Sequence, residues 1–142
     1  MWPTARDPNL CRFDAFGFLV GLAFQITDDV LNLNGSLERY GKEIDGDLWE
    51  GKRTLLLTHA LAHASLSDRE WLAGFLERPR EVSRLRKIIE DAGSIRWAQR
   101  SAAALAEAAA RQFDEMAFAG AKRGPDLAWL RSCVDLVVGR DA

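Results

Sequence analysis

The sequence predicts an all-α helical bundle. Apolar residues recur at helical spacing along nearly the whole chain, and no run alternates apolar and polar residues for long enough to make a strand. Helix-start signals stand where the periodic segments begin: Ser67-Asp68-Arg69-Glu70, Ser94 after Gly93, and Gly124-Pro125. There is no repeat, no low-complexity tract and no second-domain linker, so one layered helical architecture is expected.

The first helix is predicted from about Leu10 to Leu33, with Phe13, Phe16, Val20, Phe24 and Leu31 at helical spacing. Gly17 and Gly21 are four apart, which suits close packing against another helix, although each lowers helix propensity. From Asn34 to Arg53 the periodicity breaks. Gly35, Gly41, Gly46 and Gly51 punctuate a charged stretch that reads as a long polar loop, and long loops in compact domains are often functional. A second helix is expected from Thr54 to Ala64, and a third opens at the Ser67 to Glu70 capping box. Pro79 suits the first turn of a fourth, which runs to about Asp91. Gly93 ends it. Ser94 caps a fifth, about Ile95 to Ala119, with Ala98, Ala102, Leu105, Ala109, Phe113 and Met116 on one face. A last helix follows Gly124-Pro125, from about Asp126 to Val138.

The chain has 142 residues, enough for one domain with a sizeable core, and 48% of them are hydrophobic. A net charge of −2 gives no drive towards nucleic acid or an anionic membrane. The cysteines, Cys11 and Cys133, are far apart and form no CxxC or Cys/His pattern, which fits two reduced thiols in a cytoplasmic protein. The stretch Met1-Trp2-Pro3-Thr4-Ala5-Arg6-Asp7-Pro8 has no apolar core of a secretory signal. The most apolar run, Ala15 to Phe24, is too short to span a bilayer and lies between Asp14 and Asp28, so a buried core helix is expected and no transmembrane segment.

Chemistry concentrates in Phe24-Gln25-Ile26-Thr27-Asp28-Asp29-Val30-Leu31-Asn32. On a helix Gln25, Asp28, Asp29 and Asn32 form one polar patch at the end of an otherwise apolar element. Adjacent carboxylates repel each other, and a hard cation relieves that repulsion. Magnesium takes oxygen ligands and is often shared between carboxylates and substrate phosphates. A solvated acidic patch is the bland alternative, weakened because carboxylates near a helix C-terminus oppose the macrodipole. The loop adds Gly41-Lys42, Gly46-Asp47 and Gly51-Lys52-Arg53-Thr54. Its glycines allow tight turns and its lysines are point charges for phosphate oxygens. It is not a Walker A loop, because Arg53 stands where Ser or Thr is required.

Smaller candidates read as structural. His59 and His63 are four apart on a helix but have no evident third metal ligand, so a surface pair is expected. Arg78, Arg80, Arg84, Arg86 and Lys87, interspersed with Glu77, Glu81 and Glu90, read as a solvated helix face. Trp49, Trp71, Trp97 and Trp129 read as packing anchors.

Taken together, Gly21-Leu22-Ala23-Phe24-Gln25-Ile26-Thr27-Asp28-Asp29-Val30-Leu31-Asn32, Tyr40-Gly41-Lys42-Glu43-Ile44-Asp45-Gly46-Asp47-Leu48 and Glu50-Gly51-Lys52-Arg53-Thr54-Leu55 resemble the second aspartate-rich region of the trans-isoprenyl diphosphate synthases, or polyprenyl synthetases. The resemblance runs from Leu10 to about Leu61. It implies an isoprenoid-synthase-type fold and a magnesium-dependent enzyme. In that reaction an allylic diphosphate ionises, isopentenyl diphosphate attacks the cation, and a proton is lost. By position, Asp28 and Asp29 would help hold magnesium, with Asn32 at the motif's last acidic position, where many members carry a third aspartate. Lys42 and Lys52 would face the allylic diphosphate, and Phe24 and Gln25 would lie near the reacting carbons.

The family also carries a first aspartate-rich motif in an upstream helix, and this sequence has a single Asp-Asp pair. Residues 1–9 are therefore expected to be an N-terminal extension and residues 10–142 the C-terminal half of a synthase domain, of geranylgeranyl or polyprenyl type. Such a half is expected to be inactive or weak alone. The alternative is a non-catalytic half-bundle that pairs with itself, as a homodimer, or with a full synthase, as a hetero-oligomer. A plain bundle with a relic site is a third reading.

Overall fold

The computed structural model describes residues 8–34, 51–75, 81–116 and 124–139. Among these it contains α1 (Pro8–Asn34), α2 (Leu55–His63), α3 (Leu66–Phe75), α4 (Val82–Asp91), α5 (Ser94–Asp114) and α6 (Pro125–Val138), and no strand. The all-α expectation holds. The chain forms two compact units, Met1–Gln25 with Ser101–Ala142, and Ile26–Arg100.

In the first unit, the N-terminal part of α1 packs with the C-terminal part of α5 and with α6. Phe16, Ala23, Ala106, Ala109, Phe113, Met116, Val134 and Val137 form its core. The rings of Phe16 and Phe113 lie 5.1 Å apart, tilted by 48°. Alanines alternate with these large rings, and such pairing of large and small side chains fills space at crystal-like density. The predicted α5 face is the buried one, with Leu105 half-buried. Arg12 bridges to Glu115 and donates to Gln112 at 3.3 Å, and Arg131 reaches Asp114 at 3.4 Å. Such exposed pairs contribute little to stability.

The expectation of a buried core helix over Ala15 to Phe24 is met only in part. Phe16 is buried, but Phe13 and Phe24 are 45% and 44% exposed. A Cβ added at Gly17 or Gly21 would meet nothing within 4 Å, so neither glycine marks a close helix contact. Apolar residues lie all round this helix, and periodicity cannot then say which face is covered. By length and composition alone, Pro8–Leu33 is long and apolar enough to cross a membrane.

The second unit buries Ile26, Val30 and Leu33 of α1, Leu56, Leu57 and Ala60 of α2, Leu72 and Phe75 of α3, and Leu85, Ile88 and Ile89 of α4. Side chains cap the starts of α2 and α3. Thr54 Oγ1 accepts from the Leu57 N–H at 3.4 Å and starts α2. The α3 cap sits two residues earlier than predicted. Ser65 Oγ accepts from the Asp68 N–H at 3.2 Å and donates to Asp68 Oδ2 at 2.6 Å, so Ser67 lies inside the helix. Ser65-Leu66-Ser67-Asp68 has the same spacing as the predicted box, and sequence alone does not choose between the two registers. Arg69 donates to the carbonyls of Ala64 at 3.0 Å and Ala62 at 2.8 Å, satisfying groups at the end of α2. Pro79, Trp49, Glu77, Arg78 and Arg80 lie outside the described residues.

Gly93, at φ 66°, turns α4 into α5. An added Cβ there meets nothing within 4 Å. Gly93→Ala is therefore expected to cost about 1–2 kcal/mol through backbone conformation alone. Chemical denaturation measures it, and no loss, or the gain that alanine gives at an ordinary helical glycine, would contradict the turn.

Candidate metal and diphosphate site

The last turns of α1 carry the paired carboxylates. Asp29 is 9% exposed, while Asp28 and Asn32 are half-buried and Gln25 is exposed. Asp28 makes no ion pair or hydrogen bond among the described residues, whereas Asp29, Asn32, Gln25 and Phe24 are all engaged. The helix rises ~1.5 Å per residue, so Asp28 and Asn32 are one turn apart on the same face. Lys52 is exposed, and its carbonyl accepts from the Thr54 N–H at 3.0 Å, just after Gly51 at φ 68°. Lys42, like all of residues 35–50, lies outside the described residues.

No group of three His, Cys, Asp or Glu residues able to hold a metal occurs among the described residues. Magnesium rarely needs one. It commonly binds one or two carboxylates and completes its octahedron with water and substrate phosphate. A half-buried Asp28, without a partner among the described residues and next to a buried Asp29, fits that mode.

Sequence reasoning missed what holds this helix end. Arg86, placed on a solvated face by its neighbours, instead donates Nη2 to the Leu33 carbonyl and Nε to Glu90 Oε1 at 3.2 Å. It puts a cation at the C-terminus of α1, where the macrodipole is negative and the two aspartates add to it. Its spacing to Glu90 was visible in the sequence; its reach to a carbonyl 53 residues away was not. Arg84 of the same run lies 4.6 Å over the Trp71 ring.

The expected surface pair holds for His63, which is exposed, while His59 is more enclosed. His59 is half-buried and stacks between His63 and Trp97, with ring centroids at 4.0 and 4.4 Å. Its Nδ1 lies 3.0 Å from Oγ of Ser94, which is fully buried, so that hydroxyl ties two helices together. His63 Nδ1 donates to the His59 carbonyl at 2.9 Å. Trp71 and Trp97 are half-buried, but Trp129 is 65% exposed, more than a packing anchor would be.

Burial, and secondly the nearby His63, hold the His59 pKa below its ordinary 6.5. On acidification the unfolded chain therefore takes up this proton first. The stability contributed by neutral His59 is complete above about pH 6.5 and is lost as pH falls through the lower folded-state value. The thermal midpoint is expected to drop between pH 7 and pH 5, and His59→Gln should flatten that slope. An unchanged slope would remove His59 as its source.

The helices have the architecture of the all-α isoprenoid synthases. The structure of a polyprenyl synthase from Caulobacter crescentus complexed with calcium and isoprenyl diphosphate matches 92% of this chain and 40% of its own, with a TM-score of 0.75 and 27% identity. The family model described as polyprenyl synthetase matches residues 3–92, and the chain belongs to that family. A short chain isoprenyl diphosphate synthase from Methanothermobacter thermautotrophicus is 41% identical over 68 residues, 48% of this chain and 21% of that protein. The octaprenyl diphosphate synthase of Escherichia coli is 29% identical over 124 residues, 85% of this chain and 36% of that protein. The chain thus spans between a fifth and just over a third of the length of these relatives.

Proposed function

We propose that this chain is the metal- and diphosphate-binding C-terminal half, residues 10–142, of a cytoplasmic isoprenyl diphosphate synthase. The observation that carries this is the state of Asp28, a half-buried carboxylate without a partner among the described residues, beside the buried Asp29. Asp28, Asp29 and Asn32 would hold magnesium. The ion would neutralise charge building on the departing diphosphate. Lys52, exposed in its turn, and Lys42 would supply further positive charge to the same anion. Phe24 and Gln25, one turn before the carboxylates, would flank the allylic carbons of the substrate. In the parent reaction the allylic C–O bond breaks, the double bond of isopentenyl diphosphate attacks the cation, and a proton leaves.

Alone, the chain is expected to bind magnesium and diphosphate but to condense allylic and isopentenyl diphosphates slowly or not at all. Calorimetry with inorganic diphosphate, with and without magnesium, tests the binding. Absence of magnesium-dependent heat would remove the proposal. A product assay tests the second half of the statement, and robust turnover would show that the chain suffices by itself.

A second reading, a half-bundle that pairs with another chain, is favoured by one specific observation. Leu10, Phe13, Phe18, Leu22 and Phe24 of α1 are all at least 38% exposed. Apolar faces of this kind mark interaction surfaces. Light scattering that finds only monomer, with no binding of an apolar dye, would oppose it.

A further inference from the structure

Within the second unit, the end of α4, the start of α5 and His59 of α2 enclose an open groove of about 390 Å³. This is within the size range of small-molecule sites, ~300–1,000 Å³. Arg96 and Arg100 line it, four apart on one face of α5. Both are exposed, and neither makes an ion pair or hydrogen bond among the described residues. Like charges at this spacing repel each other along a helix.

Two carboxylates also line the groove, but each is already held on its own helix. Glu90 pairs with Arg86 at 3.2 Å, and Asp91 with Lys87 at 3.0 Å. Their charges are thereby largely offset, and among the described residues the groove is left with two uncompensated guanidinium groups. The Trp97 indole, stacked on His59, forms an aromatic wall beside them. Guanidinium forks donate paired N–H groups whose geometry matches phosphate oxygens, and indole faces pack well against flat or apolar parts of a ligand.

We propose that this groove binds a small, soluble phosphate-bearing anion, held between the Arg96 and Arg100 guanidinium groups, independently of magnesium and of Asp28. Two cationic forks favour a diphosphate over a single phosphate, because each can take its own phosphoryl group.

The test uses the full chain, labelled with ¹⁵N, titrated with inorganic diphosphate in EDTA. Metal removal silences the aspartate site. Saturable shifts of the Arg96 and Arg100 side-chain N–H signals and of the Trp97 indole N–H are expected. Arg96→Gln with Arg100→Gln should weaken binding at least about tenfold. Both side chains are exposed, so the variant should keep its helical circular dichroism. Asp28→Ala should bind as tightly as the unaltered chain under the same conditions. Failure to saturate, or equal affinity in the double glutamine variant, would overturn the proposal. Loss of binding in Asp28→Ala would do so as well, by assigning the signal to the aspartate site. The magnesium-dependent reading of α1 fails or survives separately, because it is measured as the difference that magnesium makes.

Discussion

Replacing Phe113 by alanine is expected to lower stability by about 3–5 kcal/mol, the range for deleting a buried aromatic ring. Phe113 is fully buried, and its ring meets Phe16 at 5.1 Å in the core of the first unit. The neighbours are mostly alanine, valine and methionine. Alanines have no side chain that can swing into the vacated space, so much of the cavity should persist. Urea denaturation measures the loss. Phe13→Ala is the control, because Phe13 is 45% exposed and truncating it should change stability by less than about 1 kcal/mol. Equal losses at the two positions would mean that α1 turns a different face to the core. A loss this large would be a big share of the ~5–15 kcal/mol that stabilises a typical domain.

Asp28→Ala is expected to lower magnesium-dependent diphosphate affinity at least about tenfold, since changes even behind a metal's direct ligands cost that much. The side chain is half-buried and makes no ion pair among the described residues, so its removal should leave the melting midpoint nearly unchanged. Asp29→Ala should differ. Asp29 is 9% exposed and already engaged, and removing it should disturb both binding and folding. Affinity that survives Asp28→Ala would make the aspartate pair a relic. The contrast between the two neighbours separates a carboxylate that serves the metal alone from one that also supports the fold, and the sequence alone gives no reason to expect it.

The histidine pair shows what a local reading leaves out. The absence of an evident third metal ligand made His59 and His63 a surface pair, and His63 is indeed exposed. In the folded chain Trp97 and Ser94, more than thirty residues later, close over His59. Arg86 was misread for the same reason. Its charge pattern along α4 is that of a solvated face, and its hydrogen bond to Leu33 depends on where α1 ends.

What the sequence determined by itself is whatever follows from neighbours within a turn or two. Helical periodicity located α1 and the alanine face of α5, and Gly124-Pro125 placed the start of α6. The spacing of Gln25, Asp28, Asp29 and Asn32, with Lys42 and Lys52 after it, carried the family resemblance. Only the tertiary structure decided which side of α1 is buried, which of two adjacent aspartates is enclosed, and which charges are left without partners. Those outcomes turn on contacts between residues distant in sequence. A helix that is apolar on all sides, or a pair of identical carboxylates, holds no local signal that selects among them.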